Sequence, residues 1–248
     1  NSLRSKIIRW SLFNVQSKTI DKTNIEKWLM VKFKINQLPK KHVVDRYFDV
    51  LKPLNIINDE QGLEYHIPEK DELEPDWLPI EYRGDYCVFA IGATYFTKKL
   101  PKERIIQIID TVNKPFILVG GPAEAKEGEE IENFFKRSEN EINNENYLLK
   151  ELDKKAIVFN GCGKFNLNQS AFIIKHATEV HAHDTGMMHV AAALKKKIIS
   201  YWGNTIPEFG MYPYKTKFSI IQKENLDCRP CSKLGHNECP KGHFKCMI

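Results

Sequence analysis

At 248 residues, 42% of them hydrophobic, the chain can bury a substantial core as one large domain or two smaller ones. No apolar run approaches the roughly 18 residues of a membrane span, and no signal peptide is visible, so an intracellular, cytoplasmic protein is expected. The net charge of +5 sits at the front, where residues 1–60 carry 12 Lys and Arg against 6 Asp and Glu; such a segment suits an anionic lipid, a membrane surface or nucleic acid, and equally well a plain solvated helix face.

In chain order, NIEKWLMVKFKI and HVVDRYFDVLKPL space their apolar residues three and four apart, which predicts helices within residues 1–60. The segment from Asn58 to Arg83, with Pro68, Pro75 and Pro79 among many carboxylates, reads as a linker, 61–84. Then the texture changes. YCVFAIGA (86–93), PFILVGG (115–121), KAIVFNG (155–161), TEVHAH (178–183) and KIISYWG (197–203) read as strands. Between them come the helical PKERIIQIIDTV, a Glu-rich helix, NQSAFIIKHA and an alanine helix. This alternation predicts an α/β class domain, a doubly wound parallel sheet over 85–225. Sheets of this kind bind ligands at the carboxyl ends of their strands, so the loops starting at Gly92, Gly120, Gly161, His183 and Gly203 are the ones that matter.

The stretch HAHDTGMMHVAAAL, within residues 181–194, carries the strongest chemical signal. With a strand ending at His183, Asp184 stands where an N-cap belongs, and the amides of Thr185, Gly186 and Met187 are unpaired donors at a helix start. Those donors and the helix dipole suit a phosphate, and Thr185 and His189, four residues apart, share a face. The plain alternative is a capping aspartate with a histidine satisfied in the core. A second phosphate candidate is IGATYFTKKLP, where Thr97, Lys98 and Lys99 precede a helix; a lysine there is a solvated loop residue unless the sheet brings it to Asp184.

Together, IGATYFTKKLP, ILVGGPAE, FNGCGKFNLNQSAFIIKHATEVHAHDTGMMHVAAAL and ISYWGNTIPEFGMYPY resemble the donor-binding domain of glycosyltransferase family nine, the heptosyltransferases of lipopolysaccharide core assembly. The most specific part is D-T-G-x-x-H-x-x-A-A-L followed by a strand and W-G-N-T, and the likeness runs over about residues 40–248. It implies a GT-B fold of two Rossmann-like domains, of which this chain would hold one complete doubly wound sheet after a helical remnant of the acceptor domain at 1–60. It also implies inverting transfer of a heptose from ADP-heptose to a glycolipid acceptor, without a required cofactor, at the inner face of the bacterial inner membrane. The resemblance places diphosphate contacts on Thr97, Lys98, Thr185, Gly186 and His189, a sugar-binding or capping aspartate on Asp184, a ribose-binding acid on Glu124 or Glu127, and adenine near the loop 161–167. The plain alternative for Glu124 is an acid at a helix start. The family's glycine-rich loop and catalytic aspartate have no counterpart here, so the base is expected in an N-terminal region outside the sequence; Asp45 and Asp49 fit amphipathic packing better.

In the tail, 226–248, Cys228, Cys231, Cys239 and Cys246 accompany His236 and His243. Their spacing fits tetrahedral zinc, one or two disulfides, or reduced thiols. Two other functions compete with transfer. A non-catalytic nucleotide- or nucleic-acid-binding module suits the basic front, but its Lys and Arg are not interleaved with aromatics in a binding motif, and no nucleic-acid partner is expected. An NAD enzyme would need G-x-G-x-x-G after a strand, and none is present.

Overall fold

The computed structural model describes residues 3–74, 76–142 and 156–247, and for 137–142 the backbone alone. Pro75 of the linker and Lys155 at the start of the third predicted strand lie outside them. The front of the chain holds three helices, α1 (Leu3–Ser11), α2 (Asn24–Phe33) and α3 (Val43–Leu51). No residue of α1 or α2 is buried, and α3 buries only Arg46.

Beyond residue 85 the strands β1 (Cys87–Ala90), β2 (Phe116–Val119) and β3 (Val158–Asn160) alternate with α4 (Lys102–Val112) and α5 (Ala125–Ile142). After β3 come α6 (Leu167–His176), β4 (Glu179–His183), α7 (Gly186–Ala193), β5 (Lys197–Trp202) and β6 (Phe218–Gln222). All pairs are parallel, in the order β3-β2-β1-β4-β5-β6. This is the doubly wound arrangement, with its topological switch point between β1 and β4. The sequence reading of an α/β parallel sheet holds. It missed β6, an edge strand whose residues are exposed or half-buried, because one-sided burial leaves no continuous apolar run there.

Strands such as CVFA and FILV are buried at every position because helices cover both faces. One face sets Val88, Ala90, Ile117, Val119, Val180 and Ala182 against Ile173 and Ile174 of α6 and Met188, Ala191 and Ala192 of α7. Those alanines in α7 let it approach the sheet closely. The other face packs Phe89, Phe116 and Leu118 against Ile105 and Ile109 of α4 and Ile131 and Phe135 of α5. Local chemistry fixes the helix ends: Asn166 and Gln169 form a reciprocal capping box at α6, and Asn113 closes α4 in the left-handed conformation.

The segment expected as a linker is irregular and packs on the sheet domain. Asp71 accepts hydrogen bonds from Asn166 Nδ2 and Asn168 Nδ2, and the Tyr82 hydroxyl donates to the Val158 carbonyl. Helix α3 is held by the loop after β5. Arg46 donates to Thr23 Oγ1 and to the Phe209 carbonyl, and His42 stacks on Tyr214 with centroids 4.4 Å apart. Gly210 makes this docking possible: its φ is +82°, and a Cβ there would meet the Lys41 carbonyl at 2.8 Å.

Candidate functional site at the carboxyl edge of the sheet

The carboxyl ends of β1, β2 and β4 and the loop after β3 surround a cavity of about 530 Å³. Its walls include Gly92, Glu124, Phe165, Thr185, Gly186 and Met187. The volume falls within the range of small-molecule sites, roughly 300–1,000 Å³.

Glu124 reaches the cavity from the turn after β2. Its Oε2 accepts from the Gly121 amide at 3.0 Å, and its Oε1 lies 3.3 Å from Lys99 Nζ. A Cβ on Gly92 would stand 3.2 Å from that carboxylate, so a larger residue would crowd it. Lys99 also pairs with Glu127 at 3.0 Å. Of the two acids, Glu124 lines the cavity.

At the end of β4, Asp184 is a hub. Its Oδ2 lies 2.6 Å from Lys98 Nζ and accepts from Thr205 Oγ1 at 2.8 Å, and Lys98 Nζ donates as well to the Asp184 carbonyl at 3.0 Å. That carbonyl shares its peptide group with the Thr185 amide, so two loops almost ninety residues apart in sequence meet at one point. The aspartate is therefore not the helix cap that the spacing indicated. The N-cap of α7 is Thr185, extended at φ −144° and ψ 174°, and its side chain makes no capping bond. Among the described residues Thr185 Oγ1 is buried without a partner, and a Cβ on Gly186 would meet nothing within 4 Å. A free hydroxyl, a helix start and open space thus adjoin a partly buried lysine.

His189 stands one turn into α7. Burial pushes its pKa down, the charge of Asp184 works against that, and Lys98 adds to it; the ring is neutral in the free protein at neutral pH. Behind the site, burial and then the Lys99 charge push His183 down to about 3, and His183 Nε2 accepts from the Leu100 amide at 3.0 Å. Thr97 is placed differently from its neighbours. Its hydroxyl accepts from the His236 amide at 2.8 Å and donates to the His236 carbonyl at 3.1 Å, which fastens the tail to the loop between β1 and α4. Thr97 lies outside the walls of the cavity. Lys98 is not a solvated loop lysine: its side chain is 17% exposed.

Sequence reasoning missed two supports. Thr205 fixes the Asp184 carboxylate, and its signal was present in the W-G-N-T motif. Lys99 joins both acids, and the Lys-Lys doublet was read for Lys98 alone. Asp45 accepts from Asn58 Nδ2 and the Tyr214 hydroxyl, and Asp49 pairs with Lys41 and Lys52, in keeping with packing roles.

The tail cysteines are free thiols. Cys228 Sγ lies 3.7 Å from His243 Nε2. Burial disfavours the Cys239 thiolate, but amides of Phe244, Lys241, Gly242 and His243 outweigh it and hold the thiol below its usual pKa. The group of three metal-ligating side chains found among the described residues is elsewhere, at Cys87, Glu179 and His181.

The sequence model of glycosyltransferase family 9 (heptosyltransferase) matches residues 1–241. The chain belongs to this family. Lipooligosaccharide heptosyltransferase 2 of Haemophilus influenzae is 38% identical over 63 residues, which cover 25% of this chain and 18% of that protein. Lipopolysaccharide heptosyltransferase 2 of Escherichia coli K12 is 29% identical over 83 residues, 34% of this chain and 24% of the relative. Among solved structures, the family 9 glycosyl transferase of Veillonella parvula superposes with a TM-score of 0.55 at 20% identity, covering 81% of this chain and 56% of that one. The Escherichia coli ADP-heptose LPS heptosyltransferase II gives 0.54 at 18% identity, covering 77% and 59%. The matches thus span less than two thirds of these relatives, and the structural likeness concerns the fold.

Proposed function

We propose that this chain supplies the donor half of a heptosyltransferase, binding ADP-heptose at the carboxyl edge of its sheet for transfer, with inversion, to a lipopolysaccharide-type glycolipid. The observation that carries this is the meeting of Lys98 with Asp184 directly beside Thr185, whose unpartnered hydroxyl stands with the open start of α7 on the cavity wall, in a member of glycosyltransferase family 9. The diphosphate lies across the start of α7, where backbone amides and the helix dipole favour an anion. Lys98, already beside the Asp184 carbonyl, and His189, which gains a proton more readily near an anion, take up charge on the leaving diphosphate. Glu124 holds the ribose, and Phe165 offers the adenine an apolar wall. Thr97 acts through the placement of the adjoining Lys98, since its own hydroxyl is engaged with the tail.

The base that deprotonates the acceptor hydroxyl belongs to an acceptor domain for which residues 1–60 would be the border, with 61–84 as connection, 85–225 as donor domain and 226–248 as tail. No helix among the described residues is long and apolar enough to cross a membrane; contact with the glycolipid at the cytoplasmic face of the inner membrane is peripheral in this reading, and no nucleic acid takes part. The transfer uses no cofactor. Zinc on the tail cysteines, one of the three readings their spacing offers, is supported by the Cys228 to His243 approach and the lowered Cys239 thiol. Calorimetry tests the donor: ADP-heptose should bind more tightly than ADP and far more tightly than NAD, and equal affinity for all three, or none for any, overturns the reading.

A further inference from the structure

The amino end of the same sheet holds a second cluster. Cys87 opens β1 and Glu179 opens β4, and the parallel register sets them side by side. His181 follows Glu179 by two residues and so projects from the same face. One ligand atom from each of the three side chains lies within 4.8 Å of the other two. Glu179 Oε1 stands 3.0 Å from His181 Nε2, while Oε2 pairs with Lys197. On the far side of the ring, His181 Nδ1 meets the Tyr201 hydroxyl at 2.8 Å. We propose that Cys87, Glu179 and His181 form a site for a divalent cation of zinc type, apart from the nucleotide edge and with none of the tail cysteines among its ligands.

The donor chemistry is the first argument. A thiolate, an imidazole and a carboxylate are the ligands zinc takes at three protein positions, with water completing the tetrahedron. A cavity of about 580 Å³ over β4 and β5 is lined by Glu179 and His181 and admits that water. The second argument is how the ring is held. Tyr201 orients His181 from the nitrogen opposite the metal, the support that zinc-bound histidines generally have. Without metal the Nε2 proton points at Glu179 and the tyrosine donates to Nδ1. With metal the ring keeps its single proton but carries it on Nδ1, donating to the Tyr201 oxygen. The Cys87 thiol loses its proton to solvent as the sulfur–metal bond forms, so binding releases one proton. Burial keeps His181 neutral, which is the ligating form, and raises the Cys87 thiol, so the metal must drive that ionisation. The third argument is position. The cluster ties β1 to β4, the two strands that flank the switch point, at the end away from the cavity at Thr185 and Gly186.

The test separates this cluster from the tail. The full chain, with Cys228, Cys231, Cys239 and Cys246 replaced by serine, is reduced, stripped of metal and titrated with cobalt(II), then with zinc. One cobalt per chain should bind with a thiolate-to-metal charge-transfer band, lost in Cys87→Ser and in His181→Gln, and zinc-edge absorption should show one sulfur among nitrogen and oxygen ligands. Zinc should also raise the Tm of this chain by several degrees and leave that of its Cys87→Ser derivative unmoved. Should the serine variant fail to fold, native alkylation of the wild-type chain blocks the half-exposed tail thiols and spares buried Cys87 and Cys162, and the same titration is read there. No charge-transfer band once the tail is blocked, a band that persists in Cys87→Ser, or two or more sulfurs at the zinc edge overturns the proposal.

Discussion

The two ends of the sheet handle their polar groups in opposite ways. At the amino end, Glu179, His181, Tyr201 and Lys197 satisfy one another, and Tyr86 donates its hydroxyl to the Ile173 carbonyl. At the carboxyl end, Thr185 Oγ1 is buried without a partner among the described residues, and α7 begins in open space. A buried polar group left unpaired costs about 1–3 kcal/mol, which a fold tolerates most readily where a ligand completes the set. A closed network stabilises the free protein and takes a ligand only by exchanging a proton, whereas an open one is finished by something from outside.

Filling the open end should have the largest effect. Gly186 starts α7 and borders the cavity, and a Cβ there meets nothing within 4 Å. In Gly186→Val the isopropyl group projects into that space and costs the free protein little. Affinity for ADP-heptose should fall at least about 100-fold, or about 2.8 kcal/mol at 1.4 kcal/mol per tenfold, with Tm nearly unchanged. Calorimetry and thermal melts read both; unaltered affinity would move the ligand away from α7.

Lys98→Ala should come next, with a loss of about 1.5–3 kcal/mol in donor binding for one charged hydrogen bond. Had Lys98 been a surface lysine, stability would not change. Its pair with Asp184 is mostly shielded from solvent, at 17% and 10% side-chain exposure, so removing the ammonium leaves the carboxylate with Thr205 alone, and Tm should fall as well. A variant that loses affinity at constant Tm would show that the ion pair contributes nothing to folding.

The acid limb of stability involves both ends, because each holds a buried neutral histidine: His181 at one, His183 at the other. Both have folded pKa values below the ordinary 6.5, His183 at about 3. The unfolded chain therefore binds protons below about pH 6.5 that the folded chain refuses. Their contribution is complete above pH 6.5 and is lost as pH falls below it, for His183 down to about 3, at up to about 1.4 kcal/mol per pH unit for that ring. Urea unfolding at pH 7.0 and 5.5 measures the slope. An NMR titration in which the His183 ring takes up a proton near pH 6.5 would contradict it.

How far the sequence foretold this arrangement depends on the range of the signal. Apolar strand runs, glycines at strand ends and the Asp-Thr-Gly helix start are local, and they located five of the six strands and the edge where the cavity lies. What escaped was pairwise and distant. Nothing near Asp184 says that its carboxylate turns to Lys98 and Thr205 and leaves the cap to Thr185, and nothing near Cys87 says that β4 will lie beside it. The tail cysteines drew attention by their spacing, yet the three donors that meet do so through strand register, which no spacing rule reads.

The smallest expected effect tests the open end most directly, because stability and binding should move in opposite directions. Thr185→Val keeps the shape and the extended backbone of the residue and replaces an unpaired buried hydroxyl with a methyl group. In the free protein this removes a desolvated polar atom that bonds to nothing, so stability should hold or rise by up to about 1 kcal/mol, where most buried substitutions destabilise. With the donor bound, the missing hydroxyl should cost about 0.5–1.5 kcal/mol, the net worth of a neutral hydrogen bond. Loss of stability together with unaltered binding would show that Thr185 finds a partner within the protein, and the carboxyl edge would then be as closed as the amino edge.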